Sequence, residues 1–485
     1  MAALATQIDH LGMMSVQAQT ASSSNSLSVP SDYRALVCIF LNGGNDGNNT
    51  VIPNHNDSTI SNYGVYSAAR SSLGLSIPQA NLANTAISVP RMSNLSYGLH
   101  PGLGVLPLSG TFVINRGIHE LWGMGKMAIV ANAGTLVAPM TRTQFLNNSV
   151  KKPYLLFSHP DQITQAQGGR SDLPSLTGWA GRIADLRNTV DNPSGLIPMI
   201  TSIAGAQLFT NGITTHPIGL PDSATNPGVA LTPAGFSNNA ADNARKAAFN
   251  ALRGIDLSSN VVAAASQVTD AAISAGTALQ TSQNTTVPFP DTDLGRQLRQ
   301  VARIIKTRTA LNANRQIFFC ELVGFDNHSV QVFAQGNQLT VLSQAMRSFY
   351  DEMVAQGISD KVTQFTLSDF GRSLLPDGNS SSDVGTDHAW GSNYFVIGGG
   401  ITGSDFYGMN GANGTPYPQL IVNTADDADS GSGARGRWIP ATSVEQYGAT
   451  LARWFGVPEA NLINVFPKLV NFTNTNLGFM QPPAP

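Results

Sequence analysis

The run Ala35 to Leu41 (ALVCIFL) is apolar at every position and stops at Gly43-Gly44-Asn45-Asp46-Gly47. A strand that offers no polar face must be covered on both sides, so the run predicts a parallel strand between two layers of helices. Met127 to Ala133 (MAIVANA) closes at Gly134-Thr135 in the same way. Gln316 to Val323 (QIFFCELV) ends in Gly324-Phe325-Asp326-Asn327-His328, and Val362 to Leu367 leads into Asp369. Helical spacing over Leu294 to Leu311 precedes the third strand, and over Gln331 to Met353 the fourth. Strand, helix and strand in succession make βαβ units and a mainly parallel sheet.

The 485 residues are ample for a large core. From Asn192 to about Asp291 the βα rhythm lapses into short apolar runs, turns and an Ala/Ser-rich helical part. The chain therefore divides into a tail or leader remnant (1–32), a first part of the core (33–191), an insertion or cap (192–290), a second part of the core (291–472) and a closing tail (473–485). Only 12% of residues are charged and the net charge is -3, so no basic face is offered to nucleic acid. No apolar run approaches the ~20 residues of a membrane span. Cys38 and Cys320 each lie within an apolar run and read as small buried hydrophobes.

In a parallel α/β sheet, ligands bind beyond the carboxyl ends of the strands. Asp46 follows the first strand, Asp326 and His328 the third, and Asp369 the fourth; Asp387-His388 lies in the loop after it. Clustered carboxylates repel unless a cation or a proton lies between them. Mixed Asp and His donors suit zinc, manganese or iron better than calcium, with one ion or two. Arg372, three residues after Asp369, is placed to clamp an oxygen of a bound anion. Ser158 stands before a helix start as either a nucleophile or a plain cap. His100 and His216 read as loop residues. Gly431 to Gly436 matches G-x-G-x-x-G, but no strand precedes it and no helix follows, which excludes a dinucleotide site.

Taken together, GGNDG, FSHPDQ, GFDNH, SDFGRS and GTDHAWGSNYFVIGGG resemble an uncharacterised family of exported bacterial proteins related to the alkaline phosphatase and sulfatase superfamily. The resemblance runs from about Arg34 to Phe472. It implies an alkaline-phosphatase-like three-layer core and a metal-dependent hydrolase of phosphate or sulfate esters. The substrate would be a small-molecule or glycan ester. By that similarity Asp326, His328 and His388 hold one ion, and Asp46, Asp369 and Asp387 the other. Ser158 is the nucleophile, or His159 a ligand or acid/base. The alternative on the same fold is an exported, non-catalytic binding or structural protein. Oligomeric state is not legible.

Two departures from the superfamily pattern matter. Phe370 stands where a histidine commonly follows the second-metal aspartate. Gln162 replaces the arginine of the sulfatase motif in Ser158-His159-Pro160-Asp161-Gln162, which argues against a sulfatase of the formylglycine type. The family also implies a twin-arginine export signal and a periplasmic or extracellular location. This sequence lacks the twin arginine, and Met1 to Ala5 looks like the remnant of such a signal's apolar part.

Overall fold

The computed structural model describes residues 32–482 except 112, 234 and 281–283, so the expected leader remnant lies almost wholly outside the described residues. The strands are β1 (Arg34–Asn42), β2 (Val51–Pro53), β3 (Ala86–Val89), β4 (Leu95–Leu99), β5 (Met127–Gly134), β6 (Ile200–Ser202), β7 (Ile218–Gly219), β8 (Arg315–Val323), β9 (Val362–Ser368), β10 (Ser392–Gly398), β11 (Phe406–Tyr407) and β12 (Thr442–Ser443). The helices of eight residues or more are α1 (Tyr63–Arg70), α2 (His159–Gly168), α3 (Trp179–Asp191), α4 (Ala240–Arg253), α5 (Asn260–Gln280), α6 (Asp293–Lys306), α7 (Gln331–Ala355) and α8 (Val444–Phe455).

The main sheet runs β11-β5-β10-β9-β1-β8-β6-β7, with β12 beside β5. β1 pairs in parallel with both β8 and β9, and β8 with β6. Only β10 is reversed, lying antiparallel to β9 and β5. A small antiparallel sheet, β2-β4-β3, stands apart.

The continuous apolar runs are explained by two cores, one on each face. Ala35, Val37, Ile39 and Leu41 of β1 pack with α6 and α7, while Leu36, Cys38 and Phe40 pack with α3 and α8. Each face is dry, so neither set of alternating side chains can be polar. Cys38 and Cys320 are free thiols in opposite layers. This is the expected α/β three-layer architecture with a mainly parallel sheet. The segment 192–290 adds β6 and β7 to the sheet's far edge and carries α4 and α5, of which α4 is almost wholly exposed.

Helix α8 contains a buried titratable group with a measurable consequence. Glu445 is fully buried, accepts a hydrogen bond from Ser171 Oγ at 3.0 Å, and has a second oxygen without a partner. Burial pushes its carboxyl up from 4.5 to about 7. A pKa raised in the folded state stabilises below the unfolded value and loses that stability as pH rises through the folded value. Glu445→Gln is therefore expected to gain stability relative to the parent, by up to about 3 kcal/mol, between pH 4.5 and pH 8. Urea unfolding at the two pH values checks this. A pH-independent difference would mean that the fold leaves the Glu445 pKa at its unfolded value.

Candidate metal centre

The carboxyl ends of β1, β8 and β9 lie side by side, and the reversed β10 brings its amino end to the same edge. The loop 369–391 therefore leaves and re-enters the sheet where Gly43-Gly44 and Asp326 emerge. The crossing is close. Gly43 has φ +114°, and a Cβ there would lie 2.4 Å from the Asp326 backbone nitrogen. Gly44, at φ +82°, would meet the Phe370 ring at 2.6 Å. Only glycine fits either position.

Four side chains meet at this edge. His388 Nε2 lies 2.9 Å from His328 Nε2 and 3.0 Å from His159 Nε2. Asp326 Oδ1 lies 3.0 Å from His328 Nε2, 3.2 Å from His388 Nε2 and 3.3 Å from His159 Nε2. The mouth is open: Asp326 and His328 are each 47% exposed, His159 and His388 about a quarter.

The ring tautomer of His388 is set by its other nitrogen. Nδ1 is 2.8 Å from the Phe157 carbonyl oxygen, which can only accept, so Nδ1 carries the proton. Burial holds His388 below its ordinary pKa, leaving Nε2 a bare lone pair. Phe157 sits at φ +71°, a costly conformation for a bulky residue. Arg437 supports it from above: its guanidinium lies 5.0 Å over the Phe157 ring and its Nε donates to the His388 carbonyl at 2.8 Å. His159 opens α2, with Nδ1 2.5 Å from Asp369 Oδ2. That hydrogen bond raises the His159 pKa. Burial alone would raise the Asp326 carboxyl, but the hydrogen bond and charge of Arg372 hold it below its ordinary value.

One cation among His159 Nε2, Asp326 Oδ1 and His388 Nε2 relieves the contacts between them, which are 3.0–3.3 Å, against about 3.3 Å for donors bound at ~2.0–2.1 Å in a tetrahedron. Three imidazole nitrogens and one carboxylate oxygen fit zinc best, then iron or manganese. Among the described residues, His159, Asp326 and His388 form the one such metal-sized group, and His328 adjoins it.

The other expected site residues are placed differently. Asp46 is buried, and its carboxylate accepts from Arg70 Nη2 and Gln331 Nε2, both at 2.6 Å, and from the Asn48 backbone at 3.0 Å. Asp387 lies at the rim, 3.9 Å from His328 Nδ1 and 3.5 Å from Arg435 Nε. Arg372 is buried and braced on Asp326 Oδ1 at 2.8 Å and on the Thr386 carbonyl, rather than extended toward solvent. The Ser158 hydroxyl donates to Asp161 at 2.5 Å. Phe370, at the position of the missing histidine, packs under both His159 and His388 at centroid distances of 4.6 and 4.8 Å.

Sequence reasoning missed Phe157, Arg70, Gln331 and Arg437. Phe157 and Gln331 lie in the stretches FSHPDQ and Gln331 to Met353, where neither is marked as a site residue, and Arg437 follows the glycine-rich stretch 431–436. That stretch is a short turn, and Asp427 accepts the Arg437 backbone N–H beside it. His100 is a buried turn residue whose Nδ1 accepts from Gly102, and burial lowers its pKa to about 4.

Residues 216–423 match DUF1501, a family described as a protein of unknown function. The resemblance to an uncharacterised family thus holds over this span. The DUF1501 region carries Asp326, His328, Asp369, Arg372, Asp387 and His388, while Asp46 and His159 lie before it. No curated protein matches the chain. Similar solved structures include the PsFucS1 sulfatase from Pseudoalteromonas sp., at 8% identity over 96% of this chain and 76% of that one, with a TM-score of 0.33. Ps i-CgsB in complex with k-i-k-neocarrahexaose is 8% identical over 92% and 78%, with a TM-score of 0.29. The lipoteichoic acid synthase LtaP from Listeria monocytogenes is 8% identical over 79% and 70%, with a TM-score of 0.25. Likenesses this distant carry no argument about the site. No described helix is long and apolar enough to cross a membrane.

Proposed function

We propose that this chain is a metal-dependent hydrolase of phosphate or sulfate esters, with one divalent ion held by His159, Asp326, His328 and His388. The observation that carries the reading is the convergence of three Nε2 atoms on Asp326 Oδ1 at 3.0–3.3 Å, at a mouth open to solvent. A bound divalent ion supplies Lewis acidity to an ester oxygen. The ester class, the small-molecule or glycan substrate and the exported location rest on the motif resemblance.

The chain's own groups divide the remaining work. Arg372 holds Asp326 in place and keeps it ionised. Phe157 and Phe370 fix the rings of the ligand histidines. His328 presents its half-exposed ring to solvent beside Asp387. With the Ser158 hydroxyl held by Asp161, the reading takes water as the nucleophile.

The test is metal content and turnover together. The purified protein is expected to retain a divalent ion through dialysis and to hydrolyse aryl phosphates or aryl sulfates. Chelation should remove the activity and added zinc or manganese restore it. A protein that holds an ion yet hydrolyses neither ester class would leave the binding-protein alternative standing. One that holds no ion would sink the reading altogether.

A further inference from the structure

We infer that Asp369 is a positioning residue, not a ligand: it selects the tautomer of His159, and the centre holds a single ion. The inference rests on the metal-centre reading above. The Asp369 side chain is fully buried, and both of its oxygens are committed. Oδ2 faces His159 Nδ1 at 2.5 Å. Oδ1 accepts from the Gly43 backbone N–H at 3.2 Å and lies 3.0 Å from Ser368 Oγ, whose hydroxyl is also 2.6 Å from the Leu41 carbonyl. A neutral His159 therefore carries its proton on Nδ1, and Nε2 is left as a lone pair toward His388 and Asp326. A carboxylate that receives the outer N–H of a ligand histidine is the usual partner that fixes ring orientation and raises ligand basicity.

His388 has the same arrangement with a different acceptor, the Phe157 carbonyl. Two of the three rings thus reach the centre through Nε2 because something behind them holds Nδ1–H. The single-ion count follows from Asp46, which with Asp369 and Asp387 was expected to hold a second ion. Its carboxylate is instead taken by the Arg70 guanidinium and the Gln331 amide. A protein cation already balances the Asp46 carboxylate.

Asp369→Asn separates this role from ligation. The Gly43 N–H can only donate, so it pins the carboxamide oxygen at the Oδ1 position. The amide NH2 then faces His159 Nδ1 and donates to it, which forces the ring proton onto Nε2. Zinc affinity, measured by chelator competition, is expected to fall about 10–100-fold. Ring 15N correlation spectra of histidine-labelled, metal-free protein at pH 8 should show His159 switching from Nδ1–H to Nε2–H. His388 should keep Nδ1–H, since its partner is a backbone carbonyl, and so reports that the variant is folded.

In the parent, one zinc per chain is expected, with His159 coordinating through Nε2; this measurement stands even if the variant misfolds. Two zinc ions of comparable affinity, coordination through His159 Nδ1, or an Asp369→Asn variant with unchanged affinity and tautomer would each overturn the assignment. A parent that binds no zinc, manganese or iron at all removes the metal-centre reading itself, a result distinct from the other three.

Discussion

His388→Ala is expected to weaken divalent-ion binding by more than about 100-fold and to lower ester hydrolysis in step. The basis is that outer partners of ligand histidines already cost 10–100-fold when lost. His388 is the hub of the cluster: its Nε2 lies within 3.2 Å of His159, His328 and Asp326 alike. Asp326 Oδ1 likewise reaches the three histidines at 3.0–3.3 Å. The ring is also held from behind by the Phe157 carbonyl and from below by Phe370. Phe370→Leu keeps most of the apolar volume but loses the flat support under two rings, and a smaller effect is expected. Metal content after dialysis, read beside turnover of aryl phosphate and aryl sulfate, checks both variants. Unchanged occupancy in His388→Ala would place the ion elsewhere or nowhere.

Much of this arrangement is written locally in the chain. The apolar runs at Ala35 to Leu41, Gln316 to Val323 and Val362 to Leu367 are legible because a strand buried on both faces has no polar positions. The strand-end rule then places Asp326, His328 and His388 on one edge without any knowledge of their distances. The pairing of roles is less legible. Asp46 and Asp369 look alike in sequence, each an aspartate just past a parallel strand. What separates them is Arg70, twenty-four residues from Asp46 and buried in α1, and His159, brought in from the start of α2. Neither contact has a periodicity or a spacing that announces it. The strained backbone at Phe157 is equally silent, because nothing in FSHPDQ demands a positive φ at that phenylalanine. The segment 192–290 hides its two sheet strands because they are three and two residues long. Runs that short carry no pattern.

Arg70→Met should destabilise the fold by about 3–5 kcal/mol, the usual cost of stranding one partner of a buried ion pair. Arg70 and Asp46 are 0% and 2% exposed, and Nη2 lies 2.6 Å from the carboxylate. Methionine fills most of the volume, so the loss reports the missing charge and the hydrogen bonds to Asp46 and Asn49 rather than a cavity. Gln331 Nε2 and the Asn48 N–H remain on Asp46, but neither carries charge. Asp46→Asn in the same chain should recover most of the loss, since it removes the stranded charge that Arg70 had balanced. Urea unfolding of the two single variants and the double variant, with and without zinc, measures all of this. If zinc alone restored Arg70→Met to parental stability, Asp46 would be shown to accept a metal once its guanidinium is gone. A loss below ~1 kcal/mol without zinc would mean that a cation other than Arg70 already balances Asp46 in the parent.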